Sequence, residues 1–308
     1  MSAQPGNTGL PDHRIMLLMP ATSYRAGDFM AAARRLNADV IVASDHAQTL
    51  AAFTGDRCLR VGLTPTDDNL ARIVTHARRT GVGAVVGTAD STVELAARAA
   101  AMLRLPHNSP DAVATARNKH AFRRKLAAEG MPGPAFRLVE RRDDLAAAAA
   151  ELAYPCVLKP LALSAGRGVI RANDPGEFVA AAERIRALLK RIYGNGDSGP
   201  ATQILVEAFI RGAEVAVEGL LQRGRLQVLA LFDKPDPLDG PFFEETLYVT
   251  PSRLPERRRR ETAAQVAAAA VAVGLTMGPI HAEARVNADG VFVIEIAPRA
   301  TPGGERPG

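Results

Sequence analysis

The sequence has no tryptophan, few other aromatic residues and only two cysteines. Cys58 and Cys156 lie far apart in apolar surroundings, so we expect buried thiols in a reducing compartment rather than a disulfide framework or a metal site. No apolar run approaches the roughly 20 residues that a membrane-spanning helix needs. The polar N-terminus lacks the basic-then-apolar order of a signal peptide. Together these absences predict a soluble, cytoplasmic protein with no membrane partner.

Lysine is scarce as well. Lys and Arg together number 38 and the net charge is +5, yet only five of the basic residues are lysines: Lys119, Lys125, Lys159, Lys190 and Lys234. Because the chain favours arginine, each lysine is a stronger candidate for a specific functional role. The arginine run at 257–260 has no aromatic residues interleaved with it. A solvated helix face is therefore favoured over a nucleic-acid-binding surface.

Patterns of buried strands alternate with amphipathic helical patterns over residues 14–106. This alternation predicts an α/β domain with a doubly wound parallel sheet, preceded by a disordered tail at residues 1–13. No G-x-G-x-x-G follows the first strand, so a dinucleotide site is not expected. The pattern breaks near residue 107, and residues 107–299 contain helices and hairpin-like strands that predict an α+β domain. Residues 300–308 form an irregular tail.

One stretch combines a single lysine with a loop of small residues. An apolar run of strand character ends near Lys159, and a loop that includes Ser164, Gly166 and Gly168 precedes a second strand at Val169. Small residues let backbone N–H groups approach an anion closely, and the lysine adds a point charge. The stretch therefore indicates a flap over nucleotide phosphates. The alternative is an ordinary β-hairpin with a Gly-rich turn.

Carboxylates converge near the C-terminus, on two strands joined by a turn that contains glycine. Alternation places His281, Glu283 and Arg285 on one face, and pairing brings Glu283 close to Glu295 on the next strand. Two carboxylates together with substrate phosphates are a common arrangement for Mg²⁺. The alternative is a pair of salt bridges, Glu283–Arg285 and Glu295–Arg299.

The candidate residues follow a fixed order along the chain: Lys119, Lys159, the loop 164–168, Glu207, Glu214, Glu283 and Glu295. This order and its spacings resemble the ATP-grasp superfamily of carboxylate–amine ligases over residues 14–299. The resemblance implies a two-subdomain ATP-grasp fold in residues 107–299, with a flap subdomain at about 135–210. It also implies ATP and Mg²⁺, or Mn²⁺ in its place, as cofactors.

The resemblance assigns nucleotide contacts. Lys119 and Lys159 would contact the ATP phosphates, and Ser164, Gly166 and Gly168 would belong to the loop that closes over them. Arg167 stands where many relatives have a smaller residue.

The segment 206–214 resembles the family hinge Glu-Glu-aromatic-Ile-x-Gly-x-Glu, with Glu207 inside it. Backbone groups of Ala208 and Ile210 would contact the adenine edge, and Glu214 would hold the ribose hydroxyls.

The resemblance also assigns metal, catalytic and substrate roles. Glu283 and Glu295 would bind Mg²⁺. Ala297 stands where the family often has Asn, so one oxygen ligand is missing and the resemblance does not decide between one and two Mg²⁺ ions. His281 and Arg299 would stabilise the acyl phosphate or its tetrahedral adduct. Two segments, at 233–235 and 242–246, resemble the substrate-side loop of amino-acid ligases, with Lys234 and Glu245 as substrate contacts. The alternative for these two residues is a solvated loop.

In the implied reaction, the carboxylate of an amino acid is activated as an acyl phosphate. An amine then attacks the acyl phosphate. The implied partners are ATP and small carboxylate and amine substrates, and a homodimer is compatible with the family. Relatives continue beyond the position of Arg299, so a truncated C-terminus with weak or absent ligase activity is expected here. A nucleotide-binding module without catalysis is one alternative, and a carboxylase or formate-dependent enzyme of the same superfamily is another.

Overall fold

The structure is a computed structural model that describes residues 14–23, 25–46, 55–164, 166–194, 199–243 and 247–300. The chain divides into two compact units, one made of Met1–Ala114 with Pro298–Gly308 and the other of Thr115–Ala297. The domain bounds predicted from sequence, 14–106 and 107–299, stay predictions. Among the described residues, no helix is long and apolar enough to cross a membrane.

The first unit contains a four-stranded parallel sheet in the order β3-β2-β1-β4. Leu18 and Ile41 pack with α2 and α3 on one face of this sheet, whereas Leu17 and Val40 pack with α1 on the other. Helices on both faces confirm the doubly wound architecture. The elements are β1 (Arg14–Leu18), α1 (Ala26–Arg35), β2 (Asp39–Ser44), β3 (Cys58–Arg60), α2 (Asp67–Thr80), β4 (Ala84–Gly87) and α3 (Asp90–Leu103).

The second unit contains two antiparallel four-stranded sheets. The first has the order β5-β8-β6-β7 and packs against α6 and α7. The second has the order β10-β9-β11-β12 and contacts α8. After α4 (Pro110–Arg117), the elements are α5 (Lys119–Ala128), β5 (Phe136–Val139), α6 (Leu145–Ala150), β6 (Cys156–Pro160), β7 (Ile170–Ala172), α7 (Pro175–Tyr193), β8 (Ile204–Ala208), β9 (Ala213–Gln222), β10 (Arg225–Lys234), α8 (Glu256–Ala272), β11 (Gly278–Val286) and β12 (Val291–Ala297).

The last two strands of the second unit follow the sequence pattern, whereas β5 and the end of β10 do not. Sequence patterns predict β11 and β12 with the observed bounds, because alternation and the intervening turn are both local signals. The segment 233–235, which the resemblance assigns to a substrate-side loop, is strand as far as Lys234, which ends β10. Lys234 lies opposite Glu214 of β9 in the ladder, and this pair of opposite charges extends the strand.

Candidate functional site

Lys159, near the end of β6, is held by a buried carboxylate. Its Nζ lies 2.6 Å from Oε2 of Glu207 on the neighbouring strand β8. The other oxygen, Oε1, accepts a hydrogen bond from Nε of Arg123 on α5. Arg123, Lys159 and Glu207, here named the basic cluster, therefore place two cations around one carboxylate, and Glu207 is only 3% exposed.

The basic cluster keeps Glu207 ionised. Burial alone would raise the pKa of Glu207, but the charges of Lys159 and Arg123 outweigh it and lower this pKa to about 2. The cluster consequently carries one excess positive charge. An excess positive charge beside a loop of small residues suits a phosphate group.

The second predicted phosphate lysine, Lys119, is the first residue of α5, where the side chain of Asn118 caps the helix. Nζ of Lys119 donates to the carbonyl oxygen of Leu163 at 2.8 Å. Leu163 directly precedes the loop at residues 164–168, here named the Gly/Ser loop. The ammonium group therefore already lies beside the loop predicted to close over phosphates.

The Gly/Ser loop joins two strands of an antiparallel hairpin, β6 and β7. Within it, the N–H of Arg167 donates to the Ser164 carbonyl at 3.3 Å and the N–H of Val169 to the Gly166 carbonyl at 3.0 Å. Gly166 has φ +66°, and a Cβ there would lie 2.6 Å from the carbonyl oxygen of Phe243. Both the backbone angle and the close approach require glycine at this position. Ala165 lies outside the described residues, and the role of Ser164, Gly166 and Gly168 in phosphate binding stays a prediction.

The predicted adenine hinge follows β8. The N–H of Ala208 donates to the carbonyl of Ala135 at 2.9 Å, so this donor is already used within the sheet. The carbonyl of Ile210 accepts from Nη1 of Arg285 at 3.2 Å. The phenyl ring of Phe209 lies under the guanidinium groups of Arg171 and Arg285, at 4.3 and 5.2 Å from the ring centre. These contacts fix the hinge backbone, and adenine recognition there stays a prediction.

A second group of charges lies on β9, β10 and β11. Nζ of Lys234 lies 2.9 Å from Glu214 Oε1 and 2.7 Å from Glu283 Oε1, and Nε of Arg285 donates to Glu214 Oε2 at 3.0 Å. We name the whole group the carboxylate cluster: Glu214, Glu218, Lys234, His281, Glu283 and Arg285. Because Lys234 is 5% exposed, the interpretation of this residue as part of a solvated loop is wrong. Its role as a substrate contact stays a prediction.

His281 joins two carboxylates of this cluster. Its Nδ1 lies 2.6 Å from Glu218 Oε1 and its Nε2 lies 3.3 Å from Glu283 Oε1. Burial opposes a charged imidazole, but the two hydrogen bonds outweigh it and raise the pKa of His281 to about 9. The imidazole is therefore a cation at neutral pH that donates to both glutamates.

Glu283 and Glu295, which the sequence predicts to lie close together, are directly opposite each other in the β11–β12 ladder. Glu283 is bound by Lys234 and His281, whereas the half-buried Glu295 has no hydrogen bond or ion pair among the described residues. In that part of the chain, no group of three or more His, Cys, Asp or Glu side chains is arranged so that it could hold a metal ion without further ligands. Two adjacent carboxylates, one of them uncompensated, fit a divalent cation that takes its remaining ligands from water and substrate phosphates.

The alternative salt bridges, Glu283–Arg285 and Glu295–Arg299, are wrong. Arg285 lies opposite Glu214 in the β9–β11 ladder and bonds to it, because cross-strand neighbours lie closer than side chains two residues apart on one strand.

Arg299 belongs to the first unit, where Nε and Nη2 donate to the two carboxylate oxygens of Asp90 at 2.5 and 2.7 Å. Its catalytic role stays a prediction. Glu245 lies outside the described residues.

Sequence reasoning missed three members of these clusters: Arg123, Glu218 and Arg285 as the partner of Glu214. Two of them carry a spacing signal. Arg123 follows Lys119 by four residues on one helix, and Glu218 follows Glu214 by four residues on one strand, so each pair shares a face.

Comparison with known proteins identifies the family. A model of the ATP-grasp domain matches residues 152–306, half of the chain, and a model of the ATP-grasp N-terminal domain matches residues 30–107. The chain belongs to the ATP-grasp family. The resemblance found in the sequence is confirmed, and the parallel sheet followed by antiparallel sheets matches the fold of ATP-grasp ligases.

Several ATP-grasp ligases are similar to this chain. The D-alanine–D-alanine ligase of Aromatoleum aromaticum is 29% identical over 63% of this chain and 58% of its own length. The alanine–anticapsin ligase of Bacillus subtilis is 24% identical over 72% of this chain and 49% of its own length. A crystal structure of an L-amino acid ligase from Bacillus licheniformis has a TM-score of 0.76 and 25% identity, covering 93% of this chain and 66% of that one. The chain thus spans about half to two thirds of these relatives.

Proposed function

We propose that this ATP-grasp chain is an ATP- and Mg²⁺-dependent ligase that joins a carboxylate to an amine, with amino acids as substrates. The observation that carries the proposal is the register of Glu283 with Glu295, which brings together two carboxylates and leaves one uncompensated. The similarity to alanine–anticapsin ligase, D-alanine–D-alanine ligase and L-amino acid ligase supports amino acids as the substrate class.

In the proposed reaction, the substrate carboxylate attacks the γ-phosphate of ATP, which gives an acyl phosphate and ADP, and the amine then displaces phosphate to leave an amide. Such a transfer needs positioning and charge neutralisation rather than a protein nucleophile. Lys159, held in place by Glu207, and Lys119, held beside the loop, supply positive charge to the phosphates. Glu283 and Glu295 would hold Mg²⁺, which when bound neutralises phosphate charge.

The carboxylate cluster would present a preformed charge to the reacting groups. Lys234 and His281 are fixed by three glutamates on two strands, β9 and β11, so neither cation has to be reordered when substrate binds. Fixed charges of this kind are the ones that stabilise a developing anion most.

The test is ADP formation by the full chain with ATP, Mg²⁺ and a panel of paired amino acids. ADP that forms only when two amino acids are present supports the ligase. Dependence on bicarbonate or formate would favour the carboxylase or formate-dependent alternative, and nucleotide binding without ADP release would favour the binding module.

A matched pair of lysine variants tests whether ADP formation depends on the predicted phosphate site. Lys159→Met should lower the rate of ADP formation by about 100-fold or more, because a charge at the transferring phosphate is lost. Lys190→Met is the control, since Lys190 is an exposed residue of α7. Equal activity of the two variants would contradict the site.

A further inference from the structure

The β11–β12 ladder contains one extra residue on β12. Near the turn, Val286 pairs with Val291 and Ala284 with Val293, and this register would continue to place Ile294 opposite Glu283. Instead Glu295 lies opposite Glu283, so Ile294 has no partner and forms a β-bulge.

The bulge decides the direction of Glu295. In a regular strand, Glu295 would share a face with Val293, which is buried in the core. The extra residue reverses the alternation and turns the Glu295 carboxylate onto the face of Glu283. Bulges near active sites often redirect a side chain in this way.

A single guanidinium group binds the bulge. Nη1 of Arg123 donates to the carbonyl oxygen of Val293 at 2.7 Å, and Nη2 donates to that of Ile294 at 3.0 Å. Successive carbonyl groups of a regular strand point toward opposite edges, so one side chain can bind both only where the strand is bulged. The third donor, Nε, binds Glu207, and Arg123 is only 2% exposed.

We propose that Arg123 is a positioning residue that fixes the bulge at Ile294 and thereby holds Glu295 opposite Glu283. The inference rests on the proposed function, because it treats Glu295 as a metal ligand. Arg123 also lies on α5, the helix that begins with Lys119, and it binds Glu207, the carboxylate that holds Lys159. One buried side chain thus connects the two lysines predicted to bind phosphate with the strand that carries the predicted metal ligand Glu295.

The role requires a guanidinium group rather than a positive charge alone. The planar fork of arginine can donate to Glu207 and to two adjacent carbonyls at once, whereas a lysine ammonium is a compact point charge. Arg123→Lys should therefore keep a cation near Glu207 and lose the hold on the bulge.

The experiment is ADP binding by calorimetry, with the full chain, in excess Mg²⁺ and in excess chelator. The measured quantity is the Mg²⁺ enhancement, the ratio of the two dissociation constants. Arg123→Lys should lower this enhancement by about 10- to 100-fold, as loss of a group that orients a metal ligand does, with a smaller change in metal-free binding. A merely structural role of Arg123 would weaken binding equally with and without Mg²⁺.

Arg186→Lys is the matched control, because Arg186 on α7 also donates to two backbone carbonyls, those of Glu140 and Asp143, at 2.7 and 3.1 Å. This variant should keep the enhancement of the unmodified chain. An Arg123→Lys variant that keeps it too would overturn the proposal.

If Arg123→Lys does not fold, the double variant Arg123→Met with Glu207→Gln removes the buried charge pair together and is compared with Glu207→Gln alone. The enhancement should be about 10-fold or more lower in the double variant than in Glu207→Gln. Equal enhancement in these two variants would overturn the proposal. An unmodified chain that shows no enhancement would also overturn it. An unmodified chain that shows the enhancement but forms no ADP with any amino-acid pair would instead refute the proposed function, while the variants still decide the role of Arg123.

Discussion

The basic cluster and the carboxylate cluster both lie in the second unit, but their charge balance differs. The basic cluster has two cations around one carboxylate. In the carboxylate cluster, three glutamates face Lys234, Arg285 and a protonated His281, and the adjacent Glu295 adds a further negative charge. One region therefore has excess positive charge and the other excess negative charge. A ligand that is anionic and carries a cation, such as a metal–nucleotide complex, matches both.

The two clusters also differ in redundancy. Among the described residues, Lys159 has one carboxylate partner, Glu207, and removal of that partner leaves the partly buried ammonium group there without a counter-charge. Lys234 and His281 each contact a second glutamate besides Glu283. The basic cluster should therefore be more sensitive to loss of a single carboxylate.

The largest effect is expected from Glu207→Gln. This change leaves the buried Arg123 and the partly buried Lys159 beside a neutral amide, so the free energy of unfolding should fall by about 3–5 kcal/mol. Urea denaturation at neutral pH measures it. Glu256→Gln is the control, since the exposed pair of Glu256 with Arg260 should contribute about 0.5 kcal/mol or less. Equal losses in the two variants would contradict the comparison.

Acid should reproduce the effect of Glu207→Gln in the unmodified chain. The pKa of Glu207 is about 2 in the folded chain, below its ordinary value of 4.5, so its stabilising contribution is complete above pH 4.5 and is lost as the pH falls toward 2. The difference in unfolding free energy between the unmodified chain and Glu207→Gln should therefore shrink by roughly 3 kcal/mol across that range. Denaturation curves of both proteins at several pH values measure it. A constant difference below pH 4.5 would show that the pKa is not lowered.

Glu283→Gln should have a smaller effect on stability. Lys234 retains Glu214 and His281 retains Glu218, and an amide oxygen can still accept one hydrogen bond, so a loss of about 1–3 kcal/mol is expected. The same urea experiment measures it. A loss as large as that of Glu207→Gln would mean that the second glutamates do not compensate.

Local signals explain which parts of the molecule could be predicted from sequence. The hairpin of β11 and β12 follows from alternation and one turn, which bring Glu283 and Glu295 to within one residue of each other across the ladder. The partners of the carboxylates could not be predicted, because they depend on cross-strand register: Arg285 binds Glu214 rather than Glu283, its neighbour on the same strand. The bulge at Ile294 has no local signal either, since it depends on a side chain 171 residues away in sequence.

Glu295→Gln should have the smallest effect on stability and the most specific effect on metal binding. Because the Glu295 carboxylate has no partner among the described residues, its neutralisation breaks no contact there, and the free energy of unfolding should change by about 0.5 kcal/mol or less. The Mg²⁺ enhancement of ADP binding should nevertheless fall by about 10-fold or more, since one of two carboxylate ligands loses its charge. Calorimetry with and without Mg²⁺ separates the two effects. A large loss of stability with an unchanged enhancement would assign Glu295 to the architecture of the sheet, and the difference in charge between the two clusters would then have no bearing on metal binding.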